Sequence, residues 1–443
     1  MSAPTMLPPQ LAARLASSLE QAAPQVRGRV VSVRGLSIVI RGLGVRVGDL
    51  VALGGDSELL AEVVAVESDQ ASCLPLGPLE GIGSGDLVSG TGGPLRIAVG
   101  DDLRGRVLDG LGRPIDGLGT PRGLHRISVE LDPPPALDRQ AVDVPIGVGV
   151  RAIDTLIPVG RGQRVGIFAG SGVGKSSLLS MITRGTAATL TVVALIGERG
   201  REVNEFLEHS LGAEGLRNAI VVVATSDQPP MVRLRAAFVA TRIAEWFRDE
   251  GEDVLLLMDS ITRLAMAQRE IGLSVGEPPA TRGYPPSVFA MLPRLLERTG
   301  GAAVGSITAM YTVLVEGDDH SEPVADTARS ILDGHIVLDR KLATAGHFPS
   351  IDVLESVSRV SGAVTTHEQQ QLARTARQLL AARRDVRELV EIGAYVAGTN
   401  PTADRALALW PSLQAFLQQG IDEQLACTDA WQQLATALEP VQP

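Results

Sequence analysis

Ala169-Gly170-Ser171-Gly172-Val173-Gly174-Lys175-Ser176-Ser177 follows an apolar run, Arg164-Val165-Gly166-Ile167-Phe168, and leads into Leu178-Leu179-Ser180-Met181-Ile182. Strand, glycine-rich loop and helix in that order make a cradle for phosphate. Backbone N–H groups of Gly170, Ser171, Gly172, Val173 and Gly174 form a nest that Cβ crowding would forbid, and the helix start adds partial positive charge. Lys175 is placed to reach the terminal phosphates, and the Ser176 hydroxyl is placed for Mg²⁺. The strict pattern opens with glycine where this chain has Ala169, which is small enough for the same turn. These residues predict a chain that binds ATP or GTP.

Two further carboxylates are spaced to serve such a site. Glu198 follows the apolar run Leu190–Ile196 and opens Glu198-Arg199-Gly200-Arg201-Glu202. At the carboxyl end of a strand beside a phosphate loop, it is placed to orient a water towards the γ-phosphate. A charged cluster at a helix start, tied by salt bridges, explains the same residues. Asp259 ends Val254-Leu255-Leu256-Leu257-Met258 and reads as a buried strand delivering a carboxylate to Mg²⁺, with Ser176 as partner ligand. Arg263, four residues on, would face the γ-phosphate or stand on a helix surface. Arg359, in Ser356-Val357-Ser358-Arg359-Val360, lies far along the chain from the loop. It would serve a neighbouring subunit as an arginine finger, or form a salt bridge at a domain boundary, the plainer reading of the spacing alone.

The chain's 443 residues are too many for one ordinary core. Runs rich in Val and Ile from Gly28 to Gly93 (Arg29–Val33, Leu36–Ile40, Leu50–Leu53, Leu60–Val66, Ala71–Leu76) alternate with Gly and Asp turns, predicting a small β-barrel or sandwich. From Arg151 to about Ile351, apolar strands (Val165–Phe168, Leu190–Ile196, Ala219–Ala224, Val254–Met258, Val304–Met310) alternate with helical stretches, the pattern of a parallel sheet. Beyond Thr365 the chain reads as helical. Leu11, Leu15 and Leu19 mark a short helix over 7–23. The net charge of −11 argues against nucleic acid as a partner. Cys73 and Cys427 read as reduced thiols. No apolar run approaches a membrane span, so the expectation is a cytoplasmic protein that meets a membrane only through partners.

The whole pattern resembles the catalytic subunits of the rotary-ATPase superfamily, and more closely the export-apparatus ATPases of type III secretion, flagellar or injectisome. Gly149-Val150-Arg151-Ala152-Ile153-Asp154-Thr155-Leu156-Ile157-Pro158-Val159-Gly160-Arg161-Gly162-Gln163 carries it. So do Gly197–Glu202, Thr225-Ser226-Asp227-Gln228-Pro229-Pro230, Ala267–Gly272 with Gly276–Pro279, and Ile331–Leu338. The resemblance implies an α/β core, a RecA-like phosphate-loop parallel sheet, with an N-terminal β-barrel and a C-terminal α-helical domain. The corresponding divisions are 1–24, a regulator-binding segment, then 25–92, 93–360 and 361–443.

It also implies roles. Lys175 would hold phosphate, Ser176 would bind Mg²⁺ with support from Glu202 and Asp259, and Glu198 would orient water. Arg199 and Arg263 would contact the γ-phosphate, Phe348-Pro349 would lie against adenine, and Arg359 would act in trans within a homohexamer. The implied work is Mg²⁺-dependent ATP hydrolysis coupled to chaperone release, unfolding and export of proteins. A central stalk protein, a peripheral-stalk-like regulator and chaperone–substrate complexes would be partners at the cytoplasmic face of the inner membrane, and contact with that membrane would come only through the export gate. Thr262–Gln268 and Arg282–Phe289 look slightly more flagellar.

Other readings fit less well. A synthase-type catalytic subunit of a rotary ATPase is the alternative, although no long vacuolar-type insertion precedes the loop and Gly200-Arg201-Glu202 is closer to the export family. An RNA translocase would need aromatic residues in its barrel, and Gly28–Gly93 has no Phe, Tyr or Trp. A non-hydrolysing scaffold has no need of Lys175, Glu198, Asp259 and Arg263 together.

Overall fold

In the computed structural model, the runs from Arg27 onward close on themselves. β1 (Arg27–Arg34), β2 (Ser37–Arg41), β3 (Asp49–Leu53), β4 (Leu59–Glu67), β5 (Gln70–Pro75) and β6 (Leu87–Pro94) form a closed antiparallel barrel in the order β1-β2-β5-β4-β3-β6. Pairing of β1 with β6 closes the circle and decides for a barrel over a sandwich. Val30, Ile38, Val51, Val63, Cys73 and Val88 fill its interior. Closure leaves no open ladder edge. β6 is absent from the expected runs because Val88 is its sole buried residue, too little for an alternating signal. The structure describes residues 26–54, 59–315 and 322–439, and the helix expected over 7–23 lies outside them. The chain divides into two compact units, the first ending at Leu95 and the second starting at Arg96.

In the second unit, β7 (Arg96–Val99) pairs across β8 (Val107–Asp109) with β9 (His125–Ser128) as a two-stranded ribbon. β8 joins a nine-stranded sheet with β10 (Arg164–Ala169), β11 (Leu190–Ile196), β12 (Ala219–Ala224), β13 (Asp253–Asp259), β14 (Gly300–Gly301), β15 (Ser306–Leu314), β16 (Gly334–Leu338) and β17 (Ile351–Ser358). The order is β17-β16-β10-β15-β13-β11-β12-β8, with β14 against β15. All pairs from β16 to β8 are parallel, and β17 runs antiparallel to β16. β11 and β12 are buried along their whole length, as strands covered on both faces must be. The strand expected at Val304–Met310 is shifted to Ser306–Leu314. Gly305, at φ +67°, turns the chain there and leaves Val304 59 % exposed.

Three long helices follow the sheet. Thr366 caps His367–Glu391 reciprocally: its hydroxyl accepts from the Gln369 N–H while the Gln369 side chain accepts from the Thr366 N–H. Asn400 caps Pro401–Leu417 through its carboxamide oxygen, and Cys427–Ala437 completes the set. Leu379, Leu409, Phe416 and Trp431 from these helices share one core with Ile153 and Ile167 beneath the phosphate loop. Of the arginines on the first of these helices, Arg377 donates to the Leu156 and Ser356 carbonyls, Arg383 stacks on Trp410, and Arg384 pairs with Glu355.

Candidate nucleotide site

β10 delivers the glycine-rich loop at its carboxyl end, and the helix Lys175–Gly185 begins on the loop's far side. Gly172 and Gly174 take φ +76° and +88°, values that side chains resist, so these glycines let the loop curl around a concave row of N–H groups. No side chain caps the helix start, which leaves its first N–H groups facing the loop. Gly174 is also the floor for an aromatic ring: a Cβ there would meet Phe348 at 3.2 Å. Phe348 remains 45 % exposed, Pro349 is buried, and the Ser350 hydroxyl donates to the Val173 carbonyl at 2.6 Å. Ser176 and Ser177 are exposed on the first turn.

Lys175 is held between two carboxylates. Its Nζ lies 2.5 Å from Asp259 Oδ1 and 3.4 Å from Glu198 Oε1. Burial pulls the ammonium pKa down, but the two carboxylates outweigh it and raise the pKa above the ordinary lysine value. Asp259 is fixed from the neighbouring strand by Thr312, whose Oγ1 donates to the same Oδ1 at 2.6 Å. Glu198 is placed by the main chain: Gly197 N donates to the Ala224 carbonyl, and Ser226 N donates to the Glu198 carbonyl. Burial raises the Glu198 carboxyl pKa, Lys175 opposes this, and a hydrogen bond with Glu202 raises it again. Lys175, Glu198, Glu202 and Asp259 therefore form one cluster.

Arg263 joins them. Its main-chain N–H is capped by the Ser260 hydroxyl, and its side chain lies over Gly197, where a Cβ would meet it at 3.0 Å. Its Nε is buried and has no partner among the described residues. Arg199 stands apart, its side chain 76 % exposed beside Glu202. Arg359 is brought nowhere near the loop. Its N–H donates to the Asp333 carbonyl, and Asp333 N donates to Arg164 at the start of β10. The loop leaves the other end of that strand, roughly 20 Å away for six residues. Arg359 is exposed, and its guanidinium donates to the Arg329 carbonyl.

Two residues escaped the sequence reading. Thr312 is one of several hydroxyl-bearing positions in β15, and its place opposite Asp259 is visible only once β13 and β15 are known to be neighbours. Gln419, whose N–H donates to the Phe348 carbonyl, gives no signal at all.

Residues 149–358 match the family model of the ATP synthase alpha/beta nucleotide-binding domain, and residues 365–436 match that of the EscN ATPase C-terminal domain of type III secretion. The flagellum-specific ATP synthase of Bacillus subtilis is 52 % identical over 381 residues, 85 % of this chain and 87 % of that protein. The chain belongs to the type III secretion ATPase family. The assembled EscN ATPase of enteropathogenic E. coli superposes with a TM-score of 0.89 at 46 % identity, over 93 % of this chain and all of that one. EscN in complex with its central stalk EscO gives 0.88 at the same identity and coverage. The barrel, parallel-sheet core and helical domain are thus those of the family, and the chain is an ATPase.

Proposed function

We propose that this ATPase hydrolyses ATP at sites completed between identical subunits of a homohexameric ring, and that turnover drives protein export through a type III secretion apparatus. The separation of Lys175 and Arg359 carries this reading: each chain holds the phosphate loop at one end of its sheet and an exposed arginine at the other. A finger of that kind is worth about 10³–10⁵ in rate. The assembled state named for EscN supports a ring of like subunits.

Within one subunit, a triphosphate entering the loop offers Lys175 anionic oxygens in place of the Asp259 carboxylate. Backbone N–H groups from Gly170 to Gly174 bind the phosphates. Arg263, whose Nε has no partner among the described residues, turns to the γ-phosphate, as does Arg199 from the rim. Glu198 accepts a hydrogen bond from the attacking water and aligns it in line with the scissile bond. Phe348 and Pro349 cover the base.

Among the described residues no three His, Cys, Asp or Glu side chains converge to cage a metal ion. The oxygen donors that the site does have, the Ser176 hydroxyl and the Asp259 and Glu202 carboxylates, suit Mg²⁺, which keeps water and phosphate oxygens in its shell. When bound there, Mg²⁺ would neutralise charge developing on the phosphate oxygens.

The coupled work proposed is release of chaperones from export substrates and their unfolding, with a central stalk in the ring, as EscO accompanies EscN. The 1–24 segment, outside the described residues, would bind a regulator. Among the described residues no helix is long and apolar enough to cross a membrane, so contact with the cytoplasmic face of the inner membrane would come through the export gate. The flagellar system is preferred on Thr262–Gln268 and Arg282–Phe289.

Mixing two inactive variants tests the reading. Lys175→Ala and Arg359→Ala proteins should each be silent, while their mixture should regain turnover at interfaces that join an intact loop to an intact arginine. A silent mixture, or an active Arg359→Ala protein, would refute it.

A further inference from the structure

Gln419 lies in the turn between the helices Pro401–Leu417 and Cys427–Ala437, and it is 6 % exposed. Its side-chain amide and main-chain N–H are both fully engaged. The main-chain N–H donates to the Phe348 carbonyl at 2.9 Å. Nε2 donates to the Gly149 carbonyl at 2.8 Å and to the Glu423 carbonyl at 2.9 Å, while Oε1 accepts from the Arg151 N–H at 2.9 Å. One residue thus joins three stretches of chain remote in sequence.

Each of those stretches reaches the nucleotide loop or its helix. Gly149 is pressed against Gly185, the last residue of the phosphate-loop helix, so closely that a Cβ on it would lie 2.7 Å from the Gly185 Cα. Phe348 lies against Gly174, just before the first residue of the same helix. Arg184, in that helix's last turn, pairs with Asp422 at 3.0 Å and donates to the Ile421 carbonyl. Arg151 binds Glu423 and the Gln418 carbonyl. The turn from Gln418 to Glu423 is therefore fastened to the foot of the phosphate-loop helix and, through Gln419, to the main chain of the aromatic residue at its head.

We propose that Gln419 is a positioning residue for the nucleotide base, making the settling of Phe348 on a base and the seating of the Gln418–Glu423 turn a single event. The proposal rests on the reading of Phe348 as the base contact. A glutamine is required, because Nε2 supplies two N–H donors to two carbonyls while Oε1 takes a third partner. A carboxylate at this position would face two carbonyl oxygens. A ligand with a base engages this linkage, whereas a ligand of phosphates alone fills the loop without it.

The test compares ATP with inorganic tripolyphosphate, both with Mg²⁺, on the Gln419→Met protein, where size and the main-chain N–H to Phe348 are kept and the side-chain donors that seat the turn are lost. KM for ATP should rise about tenfold, the effect of one to two net hydrogen bonds. The inhibition constant of tripolyphosphate and kcat should hold within about twofold, since a purely structural defect would move all three. An unchanged KM, or an equal rise for both ligands, overturns the proposal. Phe348→Ala keeps the two readings apart: it should weaken ATP and spare tripolyphosphate, and if it spares both, the base contact itself is wrong. Should Gln419→Met fail to fold, amide exchange on the unaltered protein decides. ATP should slow exchange of the Gln419 N–H and tripolyphosphate should not; any other pattern overturns the proposal.

Discussion

Phe348 and Arg359 bracket the same edge strand: Phe348 lies before its start, against Gly174, and Arg359 follows its end, beside Asp333. Because β17 runs antiparallel to β16, its start lies level with the phosphate loop and its finish lies at the other end of the sheet. A single strand of eight residues therefore presents an aromatic ring to its own nucleotide loop and an arginine to whatever lies beyond the opposite end.

Gly174→Ala should damage this arrangement twice. The residue sits at φ +88°, where a side chain costs about 1–2 kcal/mol, and the new methyl would meet the Phe348 ring. ATP affinity should fall about tenfold or more, measured by titration with a fluorescent ATP analogue, while barrel and helix content by circular dichroism stay unchanged. Undiminished affinity would contradict the packing described.

Lys175→Ala should abolish hydrolysis and also weaken the fold at neutral pH. Removing the ammonium leaves the Glu198 and Asp259 carboxylates facing each other without their shared cation. Protonation of Glu198, whose pKa burial raises, relieves the repulsion, so the variant's melting temperature should recover, relative to the unaltered protein, as pH falls from 7 to about 5. A deficit independent of pH would mean that the three groups do not interact as described.

Glu198→Gln should retain ATP binding and lose about 10²–10⁴ in kcat, if the carboxylate orients water. The pH profile gives an independent check. Burial, assisted by Glu202, raises the Glu198 pKa, so activity should fall on acidification at a higher pH than for an ordinary glutamate. Glu202→Gln removes a neighbouring negative charge, which eases ionisation of Glu198, and the acid limb should move to lower pH. Movement the other way would exclude Glu198 as the titrating group.

Gly197→Val tests the placement of Arg263. The glycine holds φ +71° and leaves only 3.0 Å for a Cβ beside the arginine side chain. Turnover should drop by about the 10²-fold expected of a misplaced charged group, with KM for ATP changing less. Full activity would show that Arg263 need not lie where Gly197 puts it.

What was legible in the sequence was whatever repeats or punctuates. Short Val- and Ile-rich runs between Gly and Asp turns predicted five of the six barrel strands, and the sixth, β6, was missed because only Val88 in it is buried. Continuous apolar runs predicted β10 to β13, since strands covered on both faces carry no polar alternation. The loop glycines and Lys175 were readable because phosphate binding restricts residue type so narrowly. Arg263 and Arg359 were not resolvable by spacing, because a guanidinium's role depends on which end of which strand it occupies. Thr312 and Gln419 left no trace, since Asp259 lies 53 residues from Thr312 and Phe348 lies 71 residues from Gln419 in the chain.

The opposed ends of β17 also constrain how copies can meet. If Arg359 serves a neighbour within a ring, each chain turns the loop end of its sheet to one neighbour and the arginine end to another, because the two lie at opposite ends of β17. In such a ring association runs head to tail, like links that each have a hook and an eye. An open run then always carries one idle loop and one idle arginine, and only closure uses them all. Catalytic yield per chain becomes a readout of whether the circle is shut.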